Sequence, residues 1–465
     1  MKKLLNLKTV IAVLAMTVLF VSCSNDDNAP DPEPIQEEPD IVELAVATSD
    51  LSSLVAALQS ADLVNTLQGD GPFTVFAPTN EAFTAFLSDN NFASLEDVPV
   101  EVLTQVLLNH VVSGENLSNS LSNGYISSLS TAGVDGNNLS LYINTSSGVN
   151  INGVANVTTA DVAATNGVVH VVDGVIGLPN IVDHAVANEN LSELVGALTA
   201  DGNTTFTTLL SSDDTDFTVF APLNTAFSAF TNPNGNDLSD ILSNHVISGA
   251  ALLSTSLSNT YANTVATNVD GDYLSIYVNT DSGVSLNGTS NVGLADIVAT
   301  NGIIHAVDEV IDIPTVVTFA IANPTFAPLV EALTTATPAT DFAAVLGGEG
   351  PFTVFAPTEM AFQALLDSNM DWNTVSDIDE ALLSSVLQHH VVNGNVRSGD
   401  LTDGISPATL EGDNITINLP GTGDNIADVT DGSGASDIGI IAVDVQAGNG
   451  VIHVINKVMI PDTEN

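Results

Sequence analysis

At 465 residues the chain has room for about three domains of ordinary size, and 44% hydrophobic residues with only 5% aromatics point to aliphatic globular cores. Five Lys and Arg stand against 56 Asp and Glu, a formal net charge of −51, which excludes nucleic acid and bare anionic membrane as partners because both need a basic face. Such self-repulsion suits a salty or calcium-containing exterior, where screening is short-ranged or divalent ions sit between carboxylates.

Residues 1–22 carry Lys2, Lys3 and Lys8, then the apolar run from Val10 to Phe20, then Val21 and Ser22 before Cys23. This predicts a removable signal peptide, the apolar part being too short for a confident membrane span. Cys23, the only cysteine, follows directly and resembles the lipidated cysteine of a bacterial lipobox, with Phe20 where leucine is usual. Residues 23–37 are rich in Pro, Asp and Glu and read as a disordered tether reaching about 50 Å. Asp26 and Asp27 resemble signals that carry some lipoproteins to the outer face of an outer membrane. The resulting expectation is an exported chain, lipid-anchored to the outer membrane and touching membrane through that lipid alone.

Three copies of one pattern follow, predicted as domains at 38–177, 178–312 and 313–461. Each opens with two short amphipathic helices, marked in the first copy by Ile41, Val42 and Leu44, then Leu51, Leu54, Val55 and Leu58. GPFTVFAPTNEAF (Gly71 to Phe83), DFTVFAPLNTAF (Asp216 to Phe227) and GPFTVFAPTEMAF (Gly350 to Phe362) come next. The apolar β-formers Phe73, Val75 and Phe76 predict a strand buried on both faces, Pro78 ends it, and Thr79, Asn80 and Glu81 begin a helix. Phosphate-binding GxxxxGK and GxGxxG spacings are absent from this turn.

A further helix ends in Asn109-His110, Asn244-His245 and His389-His390. Pro99 suits its first helical position in copy one. The interval from Thr218 to His245 is shorter than those from Thr74 to His110 and from Thr353 to His390, so the middle copy has lost most of a helix or loop. Period-two strands then follow, with Asp135-Gly136 and Asp270-Gly271 as tight turns rather than calcium loops, since EF-hand spacing is absent. The closing strands are NGVVHVVDGVI from Asn166, NGIIHAVDEVI from Asn301 and NGVIHVINKVM from Asn449. The linkers Leu178-Pro179-Asn180 and Ile313-Pro314-Thr315 are short and stiff, predicting a fairly rigid tandem.

The TVFAP-type box, the central His-Val segment and the closing strand with its histidine, in this order three times, resemble the fasciclin domain. The resemblance implies an α+β fold in which a β-wedge of two sheets is flanked by short helices. It also implies a non-enzymatic role in adhesion or extracellular-matrix contact. It makes Asn109, His110, Asn244, His245, His389 and His390 the candidate binding segment, matching a Tyr-His segment to which integrin binding is assigned in animal members. Asn or His stands here where tyrosine would, so attachment to a cell-surface or matrix protein or a glycan is the version carried forward.

Six of the eight histidines fall at repeat-equivalent places. His110 and His170 with Asp173 would be the residues for a base or a zinc site, but Asp173 becomes Asn456 in copy three and no nucleophile motif accompanies them. A buried histidine donating to a backbone carbonyl is the more economical reading. No catalytic residue, resident metal or cofactor is therefore expected, with loosely bound calcium the one ion that the carboxylates would take up. The alternative function is an accessory module or enzyme of envelope polysaccharide turnover, which needs a positioned carboxylate pair.

Overall fold

The computed structural model describes residues 38–202, 204–337 and 341–462, so the predicted signal peptide, Cys23 and the tether lie outside the described residues. One α+β architecture occurs three times. In domain 1, α1 (Ile41–Ala47), α2 (Ser52–Ser60) and α3 (Val64–Leu67) precede β1 (Phe73–Pro78), α4 (Asn80–Asp89) and α5 (Val100–Leu108). Then come β2 (Val111–Ser113), β3 (Gly124–Ser127), β4 (Ser140–Asn144), β5 (Asn150–Ile151), β6 (Ala155–Ala164) and β7 (Gly167–Val172). Domain 2 repeats this with α6 (Ile181–Ala187), α7 (Ser192–Leu198), α8 (Thr205–Leu210), β8 (Phe217–Pro222), α9 (Asn224–Ala229) and α10 (Leu238–Ser243). Its remaining strands are β9 (Val246–Ser248), β10 (Thr260–Thr267), β11 (Tyr273–Asn279), β12 (Ser285–Leu286), β13 (Ser290–Ala299) and β14 (Gly302–Val307). Domain 3 has α11 (Val316–Ala322), α12 (Ala327–Thr334), α13 (Phe342–Leu346), β15 (Phe352–Pro357), α14 (Glu359–Asp367) and α15 (Glu380–His389). It closes with β16 (Val391–Asn393), β17 (Thr416–Asn418), β18 (Ala427–Thr430), β19 (Ile438–Ala447) and β20 (Gly450–Ile455).

Strand order in domain 1 is β2-β1-β7-β6-β5-β4-β3, with β1 and β7 parallel and the other pairs antiparallel. The long β6 carries two register shifts and joins β7 on one side and β5 on the other, which folds the ribbon into the two halves of a wedge. The motif strand divides two cores, as its apolar run predicts. Val75 and Ala77 face the helices with Leu54, Leu58, Phe83 and Leu103, while Phe76 fills the wedge with Leu141, Ile143 and Ile151. Phe220 and Phe355 take the same place in domains 2 and 3. Gly71 is required where it stands: its φ is +52°, and a Cβ there would lie 2.2 Å from the Asn166 carbonyl.

Thr79 caps α4 by accepting from the Ala82 N–H at 3.2 Å, and Thr358 caps α14 in the same way. Leu223 offers no cap, and α9 has 6 residues against 10 in α4 and 9 in α14, which locates the shortening of the middle copy. An apolar cavity of about 70 Å³ lies over β8, lined from α6, α7, α8 and α10, against about 30 Å³ at the matching place in domain 3. Asn80 caps a different helix from the one expected: its Oδ1 accepts from the Ser53 N–H at 2.8 Å, at the start of α2. Pro99 is the N-cap of α5, one residue before the position expected of it. Asp135 and Gly136 both have positive φ, 57° and 75°, as a tight turn demands, whereas at the second turn only Gly271 does.

The two domain junctions are built at equivalent positions. The Val298 N–H of domain 2 donates to the Ser140 hydroxyl of domain 1 at 2.9 Å, and the Gln446 N–H of domain 3 donates to the Ser275 hydroxyl of domain 2 at 3.0 Å. Tyr125 pairs with Tyr142 and sets its ring against His184 of α6, while Tyr261 pairs with Tyr277 and meets Phe319 of α11. The Asn188 amide donates to the Tyr125 hydroxyl, and the Asn323 amide to that of Tyr261. Around this shared frame the chemistry differs. The first junction buries Val134 with Val298 and Ile303, flanked by Ala251 and Leu253. The second sets Arg397 on Asp272 at 2.5 Å, with Asp444 at 3.7 Å and the Asn395 amide also on Asp272.

Candidate functional site

All six side chains of the candidate binding segment lie inside the protein, at 0% to 3% exposure. His110, at the end of α5, donates from Nδ1 to the Val106 carbonyl at 2.7 Å, and its Nε2 accepts from the Ile176 N–H at 2.8 Å. His245 bonds Ile241 and Ile311 identically, and His390 bonds Val386 and Met459. Each ring thus ties the end of a helix to the segment that follows the closing strand. Two bonds of this kind require the neutral imidazole, and burial pushes the pKa of all three down to about 4. Asn109 and Asn244 donate to the Gly177 and Asp312 carbonyls. What the segment presents outward is the exposed residue ending each short strand: Ser113, Ser248 and Asn393.

The histidines of the closing strands are equally occupied. His170 donates from Nε2 to the Asn116 carbonyl at 2.9 Å, accepts at Nδ1 from the Asp161 N–H at 3.2 Å, and stacks on Phe76. Asp173 is not its partner. That carboxylate accepts from the Asn156 N–H at 2.7 Å, because residues three apart on a strand point to opposite faces. The acid beside His170 is Asp161, which sits at φ 58° and accepts from both the backbone and the hydroxyl of Ser118. Asp296 with Ser254 and His305, and Asp444 with Ser398 and His453, repeat the arrangement. Sequence reading missed this triplet, although a lone Asp five residues before each Asn-Gly of the closing strand was a visible signal.

The motif threonines are also part of the frame: Thr74 donates to the Gly114 carbonyl and accepts from the Asn116 N–H. Asn166, Asn301 and Asn449 accept the first helical N–H of their own domains, from Ile41, Ile181 and Val316. These recurring threonines, asparagines and histidines are scaffold.

Among the described residues, the donor atoms of His389, Glu411 and Asp413 converge as a metal site would require. The hydrogen bonds oppose that use. His389 Nε2 accepts from the Gly432 N–H at 3.1 Å, so Nδ1 carries the proton and faces Thr409 Oγ1 at 3.3 Å and Glu411 at 3.7 Å. Coordination through Nδ1 would move that proton to Nε2, against another donor. Burial lowers the His389 pKa despite the nearby Glu411, Asp431 and Asp413, so the ring stays neutral.

Comparison with known proteins accounts for this shared frame. The fasciclin-domain family model matches residues 49–179, 189–314 and 326–461. Periostin of Homo sapiens is 26% identical over 435 residues, covering 89% of this chain and 46% of periostin. Transforming growth factor-beta-induced protein ig-h3 of Oryctolagus cuniculus is 28% identical over 414 residues, covering 88% of this chain and 56% of its own. Protein sll1483 of Synechocystis sp. is 40% identical over 136 residues, 29% of this chain and 72% of that protein. The chain therefore spans about half the length of these two animal relatives. A solved FAS1 domain pair from the insect cell adhesion molecule fasciclin I aligns at 21% identity and TM-score 0.38, over 56% of this chain and 96% of that one. The chain belongs to the fasciclin-domain family and carries its domain three times in tandem.

Proposed function

We propose that this protein is an exported, lipid-tethered adhesion protein that holds three stacked fasciclin domains away from the cell surface and contacts a matrix protein, a neighbouring cell surface or a glycan. The observation that carries the reading is that the motif threonines and the repeated histidines are consumed in holding the fold. Function then lies in the exposed surface of the tandem domains, which suits attachment and not turnover. Anchoring through Cys23 rests on the leader and the cysteine after it. Contact near the candidate segment falls to the exposed Ser113, Ser248, Asn393 and their loops, since Asn109, His110, Asn244, His245, His389 and His390 are buried.

The test is attachment and aggregation of cells lacking the chain, in salt with and without calcium. Loss of attachment, restored by the full chain but not by a Cys23→Ser form released from the membrane fraction, is expected. Attachment unchanged by the deletion in both conditions overturns the reading.

A further inference from the structure

At the first junction a groove of about 450 Å³ opens between domains 1 and 2, within the usual range for small-molecule sites, which favour domain interfaces. Its wall is formed by Tyr125, Tyr142, Asn190, Leu223, Asn224 and Gly293 with their neighbours, and no residue lining it is charged. The carboxylate that acts on it is that of Glu189, between Asn188 and Asn190: burial first, and then this charge, raise the Tyr142 pKa. The Tyr142 hydroxyl is buried and has no hydrogen-bond partner in the protein. Native structures seldom leave a buried polar atom in this state unless something else satisfies it. The Tyr125 hydroxyl only accepts, from Asn188, so its own proton is free to be donated.

The openness is particular to this junction. Strand register aligns Gly293, between Val292 and Leu294 of β13, with Ile441, between Ile440 and Ala442 of β19. The same alignment sets Gly124 against Thr260, and the motif copies set Thr225 against Met360. Gly293 has an ordinary φ, and a Cβ built on it meets nothing within 4 Å, so neither backbone nor packing calls for glycine there. Leu223, which gives up the helix cap kept by Thr79 and Thr358, also lines this space. Leu223, Thr225 and Gly293 of the middle copy and Gly124 of domain 1 thus converge on one groove.

We propose that the groove between domains 1 and 2 binds a neutral saccharide unit. A phosphate, sulfate or carboxylate finds no counter-charge there, because Arg397 and Lys457, the cations among the described residues, both belong to domain 3. A purely apolar ligand would strand the tyrosine hydroxyls and the Asn190 amide, Asn224 being held already by Glu189, Ser192 and Glu193. A sugar ring matches the lining, with C–H faces for Tyr125 and Leu223, and hydroxyls for the Asn190 amide and the two phenols. The proposal deepens the adhesion reading by naming the ligand class, and rests on it for the expectation that a glycan is met at all.

The experiment is saturation-transfer NMR of the full chain with neutral gluco-, galacto-, manno- and xylo-oligosaccharides, and with sulfated and uronic-acid oligosaccharides for comparison. Each variant is first shown to keep the wild-type circular dichroism and melting profile. At least one neutral series is expected to bind, with Gly293→Trp filling the groove and weakening it by roughly tenfold or more, and Tyr142→Phe by roughly tenfold. Ile441→Trp, at the matching place in the second junction, leaves binding unchanged. Absence of binding by every neutral series, binding confined to the anionic ones, or equal binding by Gly293→Trp overturns the proposal. Cell attachment is scored separately with the deletion, so a groove that binds no saccharide sinks this inference and leaves the adhesion reading standing.

Discussion

Domains 1 and 2 meet through a cluster of Val134, Val298 and Ile303 with a neutral histidine beside it, whereas domains 2 and 3 meet through Arg397, Asp272 and Asp444 with a phenylalanine in the histidine's place. The frame is otherwise the same, down to one serine hydroxyl per junction. Equivalent surfaces in tandem domains therefore dock by position first, and the chemistry of each joint is set afterwards by a few neighbours. An apolar joint resists salt but tolerates no buried charge. An ionic one is open to screening and to protonation of its carboxylates.

The most disruptive way to break this contrast is Val134→Asp, which places a carboxylate where Val134 is now 5% exposed. It should cost roughly 3 kcal/mol or more and split the melting of domain 1 from that of domain 2 in calorimetry. A single unaltered transition would show that the apolar cluster does not couple them.

Acid is next in size. Burial holds the His184 pKa at about 4, below its ordinary 6.5. The ring is neutral when docked and takes a proton more readily when released, so its contribution is complete above pH 6.5 and is lost as pH falls through 4. The loss amounts to roughly 3 kcal/mol at most for this group. His184→Leu, the residue domain 1 carries as Leu44, should flatten that part of the pH dependence at the first junction. At the second junction the relevant group is Asp272: burial would raise its pKa, but the Arg397 guanidinium outweighs this and lowers it. Its contribution is present above the ordinary carboxylate range and disappears only at lower pH, as the aspartate takes up its proton. Identical acid midpoints for the two junctions, read by scattering, would contradict this.

Ser140→Ala and Ser275→Ala each leave one interdomain N–H without its acceptor and should cost about 1 to 2 kcal/mol apiece, equally at the two junctions. Unequal losses in denaturant titrations would mean that the shared frame is not shared in energy. The smallest effect belongs to Arg397→Leu. Both partners are partly exposed, Arg397 at 32% and Asp272 at 23%, so about 1 kcal/mol or less is at stake, and it should vanish in molar salt.

Much of the fold was legible because it is local: the TVFAP strand, the helix stripes and the Asp135-Gly136 turn are each contained within a few residues and stated three times. The two-sided burial of β1 and the shortened middle copy followed from that, while the wedge was implied by the family resemblance alone. The candidate site was less legible. His110 was correctly read as a buried histidine bonded to a backbone carbonyl, but the partner of His170 is Asp161 across a bulged hairpin, not the nearby Asp173. A positive-φ aspartate inside a ten-residue strand looks, in sequence, like any solvent-facing acid. The junctions were out of reach, since Ser140 meets Val298 and Tyr125 meets Asn188 only once three domains have been stacked. Gly293 carried no sign that its lack of a side chain leaves a groove open.

The Arg397 clamp also bears on digestion. To a protease that cuts after basic residues, the described chain offers two places, after Arg397 and after Lys457. At the first, the side chain such an enzyme must seize is held by Asp272 of the neighbouring domain, and the next N–H, that of Ser398, is bonded to Asp444. Scission there has to wait for the second junction to open, so a trypsin-like enzyme becomes a clock for that one motion, slow in dilute buffer and faster in salt or acid.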